Sequence, residues 1–241
     1  MKKIWIIAHR ELTNFFNSLI AYIVLVGFLG LTGFFTWFYG SNIFMIRQAS
    51  LQIMFEYAYV LLFLFIPALT MRLVAEEKRS GTLELLLTKP VTDWQVVLGK
   101  FLGTFLLIAI TLAMTFPYYV SVAFLGPIDH ATVWTGYIGM LFIAAVYISF
   151  GLFASSISGN QVVGFLLALF IGIFFHFIFR ILSENFTGTA GGIFNYLNVS
   201  SHYSSMSKGV IDSKDILYFL TLIYLGLLGT VTSLSKRNSI D

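Results

Sequence analysis

Residues Glu76–Trp94 read "EEKRSGTLELLLTKPVTDW". Four consecutive charges, a leucine-rich turn and a proline stand here in a chain that is 58% hydrophobic and only 10% charged. Pro90 disfavours helical geometry at Lys89, so a helix begun near Ser80 or Thr82 stops there. A new helix then starts: Thr92 and Gln95 form a T-x-x-Q capping box, with Val91 and Val96 as its hydrophobic staple. The pattern predicts a short helix over Gly81–Thr88, hung on a rigid turn at the base of a long apolar helix. Leu83, Leu86 and Leu87 share one face of it, while Glu84 and Thr88 lie on or near another. Such a stripe must be covered. It either lies back on the bilayer and the chain's own helix ends, or docks a soluble partner through i, i+3, i+4 anchors.

The flanking sequence decides which solvent surrounds this insert. With 17% aromatic residues and a mean hydropathy of +0.89, the chain has too few polar side chains to cover a water-soluble globule. A helical span needs about 20 mostly apolar residues to cross about 30 Å of hydrocarbon. Six segments qualify: Leu19–Tyr39, Tyr57–Val74, Val96–Leu125, Val133–Phe153, Val162–Leu182 and Ile216–Leu234. None alternates as a barrel strand would. Pro67 and Pro117 fall inside the second and third, where each removes a donor and kinks its helix. The fold expected is an all-α integral membrane protein, one domain over residues 1–241. An even number of spans puts both ends on one face, together with ten of the fourteen basic residues: Lys2, Lys3, Arg10, Arg72, Lys78, Arg79, Lys89, Lys100, Lys236 and Arg237. Arg47, Arg180, Lys208 and Lys214 remain for the other. The positive-inside rule makes the richer face cytoplasmic, and the insert at 76–95 a cytoplasmic loop.

Residues 1–17 have no small-residue cleavage pattern after their apolar run, which His9-Arg10-Glu11 interrupts, so a signal peptide is not expected. At 100° per residue, Ile4, Trp5, Ala8, Leu12, Phe15, Phe16 and Leu19 cover one third of a helix. Lys3, His9, Arg10, Thr13, Asn14 and Asn17 take the other side, with Ile6 and Ile7 as exceptions. That predicts a helix lying in the membrane interface. Residues 183–214, rich in glycine and then aromatic, are too polar to span. They read as a re-entrant or surface helix, or as an external loop.

Chemistry is excluded more readily than assigned. Without cysteine there is no disulfide, thiolate metal site or cysteine nucleophile. No G-x-x-x-x-G-K-[ST] loop is present, and no G-x-S-x-G or H-E-x-x-H motif or aspartate pair that an intramembrane protease would need. His9, His130, His176 and His202 lie in different segments, a spacing that favours no metal site. A secondary transporter keeps ionisable groups near the bilayer midplane. Here Arg72 lies at an inner end, Glu56 and Arg180 at outer ends, and His176 in the outer half of the fifth span as a hydrogen-bonded interior residue. A net charge of +3 is small for a nucleic-acid binder.

The stretch "EEKRSGTLELLLTKPVTDWQVVLGKFLG", Glu76–Gly103, closely resembles the signature of the ABC-2 family of ATP-binding-cassette permeases. "GLFASSISGNQVVGF", Gly151–Phe165, is similar to the family's short turn between spans four and five, and "SKGVIDSKDILYFL" to its late external segment. Within the family the chain looks most like gliding-motility-associated permease subunits. The resemblance implies a permease that does no catalysis and holds no cofactor. ATP and magnesium would belong to a separate ABC ATPase subunit, and a second permease chain, the same or related, would complete the membrane core. The ATPase contact would use Glu77, Gly81, Thr82, Leu83, Glu84, Leu86, Leu87 and Pro90, and a second cytoplasmic contact Ser158, Asn160 and Gln161. An extracytoplasmic auxiliary protein and membrane lipid complete the expected partners, in a bacterial inner membrane. A scaffold that transports nothing, or a secondary transporter without an ATPase, is the alternative.

Overall fold

The computed structural model describes residues 2–39, 43–46, 48–81 and 91–236, and among them there is no strand. Helix α1 (Lys2–Phe16) is followed by the first span, α2 (Leu19–Trp37), and a helical turn, α3 (Ile43–Ile46). The second span joins α4 (Gln52–Thr70) to α5 (Ala75–Arg79), and the third joins α6 (Asp93–Ala113) to α7 (Phe116–Leu125). The fourth is the single helix α8 (His130–Ile157). The fifth runs through α9 (Gln161–Ile173), a π-helical turn (Phe174–Ile178) and α10 (Phe179–Asn185). Two short helices, α11 (Gly188–Leu197) and α12 (Val199–Ser207), lead to the sixth span, α13 (Ser213–Ser235). Six of these segments are long and apolar enough to cross a bilayer, and the molecule is a multi-pass membrane protein.

Burial orders the bundle around the fourth span, 78% of which is enclosed, against 28% for the first and fifth. Its small residues permit this. A Cβ on Gly136 would lie 2.5 Å from the Phe55 ring, and one on Gly139 3.0 Å from Tyr203. Several threonine hydroxyls buried in the spans are satisfied by their own helices: Thr36 donates to the Thr32 carbonyl, Thr104 to Lys100 and Thr230 to Gly226. Without water in the hydrocarbon they have few other partners.

The two prolines act differently. At Pro117 the third span breaks, with α6 ending at Ala113 and the proline in the first turn of α7, where its missing donor is harmless. At Pro67 the helix continues to Thr70 and opens only at 71–74. The segment 183–214 is helical rather than a plain loop. Asn198 separates its two helices and caps α12 through the Ser200 amide at 3.0 Å, while Val199, His202, Tyr203 and Met206 are buried.

Helix α1 departs from the expected stripe. Its buried residues are Ile7, Ala8, Glu11 and Phe15, whereas Trp5 is 59% exposed. Ile7, an exception to the amphipathic pattern, is a packing residue, because α1 is seated against the third span.

Candidate functional site

The seat of α1 is a notch in the third span made by Gly99 and Gly103. A Cβ on Gly99 would meet Ile7 at 2.5 Å, and one on Gly103 would lie 2.8 Å from Glu11 Cβ and 2.9 Å from the Ala8 carbonyl oxygen. Backbones this close carry Glu11 directly onto Lys100, which shares a face with both glycines. Lys100 is 2% exposed. Its Nζ donates to Glu77 Oε1 at 2.7 Å and to Glu11 Oε1 at 3.2 Å. Arg10 reaches the same two oxygens from the half-exposed rim, at 3.2 Å to Glu11 and 3.4 Å to Glu77. Two cations and two carboxylates thus balance. A buried ammonium is tolerated only with such partners, and removing one member of a buried pair typically costs about 3–5 kcal/mol. The cluster borders a cleft of about 270 Å³ that Arg72, Glu76 and Ser80 also line.

Beside it, the end of the fourth span clasps the opening in the second. The turn at 71–74 frees backbone groups that lipid could not satisfy. Ser155 Oγ accepts from the Val74 amide at 3.1 Å and the Ala75 amide at 3.0 Å, and donates to the Met71 carbonyl at 2.9 Å. The Ser156 carbonyl accepts from Lys78 Nζ and, at 3.1 Å, from Ser233 Oγ of the sixth span. The described residues on either side of positions 82–90 are both held in place. Gly81 turns at φ 70°, a left-handed conformation that suits glycine. At the other end the Thr92–Gln95 capping box is formed in both directions, and Val91 packs on Val96 and Ile7.

A family model described as ABC-2 family transporter protein matches residues 5–234. The chain belongs to the ABC-2 transporter family. No curated protein matches it. It is thus a permease component of an ABC transporter, a membrane part that is not itself catalytic, and the family in general works with an ABC ATPase.

In this ABC-2 permease the residues singled out in the sequence fall into three groups. Thr82, Leu83, Glu84, Leu86, Leu87 and Pro90 lie outside the described residues, as does the short helix expected at Gly81–Thr88 beyond its first residue. Ser158, Asn160 and Gln161 form the turn into the fifth span: Ser158 is buried and donates to the Ser155 carbonyl at 3.3 Å, and exposed Asn160 caps the Val162 amide at 2.9 Å. Glu77 is drawn inward. Of the four charges at 76–79, Glu76 and Arg79 face outward, while Glu77 and Lys78 bond to neighbouring spans. The run is a root for the connection as much as a solvated edge.

Glu11, Lys100 and Ser155 escaped sequence reasoning. One signal was available: "GKFLG", Gly99–Gly103, places a lysine beside a small-xxx-small pair inside an apolar helix, a mark of close helix approach. On the opposite face His176 is buried in the π-helical turn and bonded to the Tyr59 hydroxyl, the interior role expected for it. His202 joins Asp215 at 2.6 Å to the Tyr196 carbonyl at 2.8 Å, fastening α12 to the sixth span.

Proposed function

We propose that this chain is the membrane subunit of a complex in which a separate ATPase, seated on the face bearing α1, drives export or mechanical work across a bacterial inner membrane. That face is the cytoplasmic one, with both ends of the chain on it, and the Gly81–Lys89 segment is the docking element. One observation carries the reading: the connection between the second and third spans is fastened at both ends. Glu77 and Lys78 hold one root and the Thr92 cap holds the other, so force on the segment between them passes into three spans. The turn at Ser158–Gln161, bonded to the same root through Ser155 and Ser156, provides the second contact.

A second permease chain, identical or related, completes the membrane core, and the little-enclosed first and fifth spans offer it apolar faces. The likeness of the sequence to gliding-motility-associated permease subunits supports work in such a system, with an extracytoplasmic auxiliary protein as its receiver. The test is a pull-down of the ATPase by variants in the docking element. Glu84→Lys reverses a charge and Leu86→Asp puts one into an apolar contact, and such mispairing costs about 2–5 kcal/mol, well over tenfold in affinity. Both variants should insert normally and lose the ATPase. A full complement of bound ATPase with hydrolysis still coupled to function would reject the docking role.

A further inference from the structure

We infer that Lys100 is a positioning residue for coupling: its buried ammonium, shared by Glu11 and Glu77, makes α1, the root of the 82–90 connection and the third span move as one body. The inference deepens the proposed function and rests on it.

Three observations carry it. First, both carboxylates that Lys100 engages come from other elements, 89 and 23 residues away in the chain, so its charge serves to join and not to cap its own helix. Second, the two carboxylates offer Lys100 the oxygens Glu11 Oε1 and Glu77 Oε1, and without the ammonium they would face each other as like charges. Arg10 cannot substitute for it, since its side chain is 47% exposed and its attraction is screened by water. Third, Glu77 stands four residues before Gly81, where the chain turns at φ 70° into the connection. A displacement of the connection therefore acts on the root at Glu77 and Lys78, and through Glu77 and Lys100 on the third span and α1. Helix α1, seated in the Gly99–Gly103 notch, becomes part of the lever as well as an interfacial anchor. Glu77 accordingly acts through Lys100.

The cysteine-free sequence allows a clean test. Nitroxide labels on Ile6→Cys and Arg79→Cys, both exposed positions, report the distance between α1 and the root in nanodiscs. The otherwise unaltered chain should give one narrow distance distribution, unchanged when ATP is trapped in the complex. Glu77→Gln and Lys100→Met should widen it, and Lys100→Arg should keep it narrow. In the complex, Glu11→Gln, at a buried position, should leave ATPase affinity unchanged while permease-stimulated hydrolysis falls about tenfold to a hundredfold, the scale of a small misplacement. For the label distances Glu77→Gln is the safer variant, because Lys100 keeps Glu11. An unaltered distribution in Glu77→Gln would overturn the inference, as would affinity and stimulation falling in parallel. A native chain that bound no ATPase would sink the proposed function instead, and the label distances in the isolated permease would still decide whether the three elements are joined.

Discussion

Ser155 and Ser156 are adjacent, both fully buried, and yet should respond very differently to the same substitution. Ser155 Oγ makes three bonds to the turn, accepting from the Val74 and Ala75 amides and donating to the Met71 carbonyl, and among the described residues it is the one partner of the Val74 amide. Ser156 Oγ instead donates to the Phe153 carbonyl of its own helix at 2.8 Å, and its links to Lys78 and Ser233 run through its main-chain oxygen. Ser155→Ala leaves two enclosed N–H groups without an acceptor, at about 1–3 kcal/mol each, so about 2–4 kcal/mol in all if the turn relaxes part-way. Side-chain hydrogen bonds in membrane proteins average less, about 0.6 kcal/mol, because a freed side chain finds another partner in the unfolded state. Amides stranded at a helix break lack that freedom. For a chain of this size about 2–4 °C accompanies each kcal/mol, which sets a fall in melting temperature of about 5–15 °C for Ser155→Ala. Ser156→Ala should change it by no more than about 1–2 °C. Thermal unfolding in one detergent, followed by a fluorescent probe of released tertiary structure, measures both. Equal shifts for the two variants, or a Ser155→Ala protein as stable as the native one, would refute the clasp.

Gly103→Leu should push α1 off its notch and weaken the molecule by about 1–3 kcal/mol, whereas Gly30→Leu, where an added Cβ meets nothing within 4 Å, should be neutral in the same melting assay. Single cysteines at Asp129 and Lys208, exposed on the face opposite α1, should react with an impermeant reagent in whole cells, and one at Arg79 should be protected; the reverse pattern would invert the orientation. Asp129 caps the fourth span, and the Thr132 hydroxyl, then the Thr132 amide, hold its carboxyl below the usual carboxylate range. A depressed folded pKa gives stability that is present at neutral pH and lost as pH falls through it, so the difference in melting temperature between native chain and Asp129→Ala should close in acid and persist from pH 6 to pH 8.

What was legible in the sequence was whatever one segment could report about itself. Span length, the capping box at Thr92 and the proline stop are local consequences of hydrophobic run length, side-chain-to-amide geometry and a fixed φ, and each of the first two has its counterpart in the structure. The cap at Asn160 is of the same kind, although its residue had been picked out for another role. The stripe on α1 failed for a related reason. Periodicity measures one helix against a uniform medium, and α1 has two surroundings, an exposed side at Trp5 and a glycine notch along Ile7 and Ala8. A glutamate on the notch side then breaks the apolar pattern at the point where the packing is tightest.

The charge cluster could not be read at all from any one segment, because its meaning lies in the pairing. Glu11, Glu77 and Lys100 look in sequence like three surface charges near helix ends, and positive-inside counting assigns Lys100 to a face without asking what it touches. Only the two glycines hinted otherwise, since an apolar helix has little reason to spend small residues on either side of a lysine unless another backbone comes within reach. The same logic explains Ser155. A serine near the end of a span is unremarkable until a break in a neighbouring helix supplies unpaired amides for it, and that break lies four residues beyond the proline that suggests it. Coupling between elements is therefore concentrated where sequence patterns are weakest, at isolated polar residues whose partners lie many residues away. The same kind of junction stands on the opposite face, where Asp215 in the first turn of the sixth span holds His202 of α12.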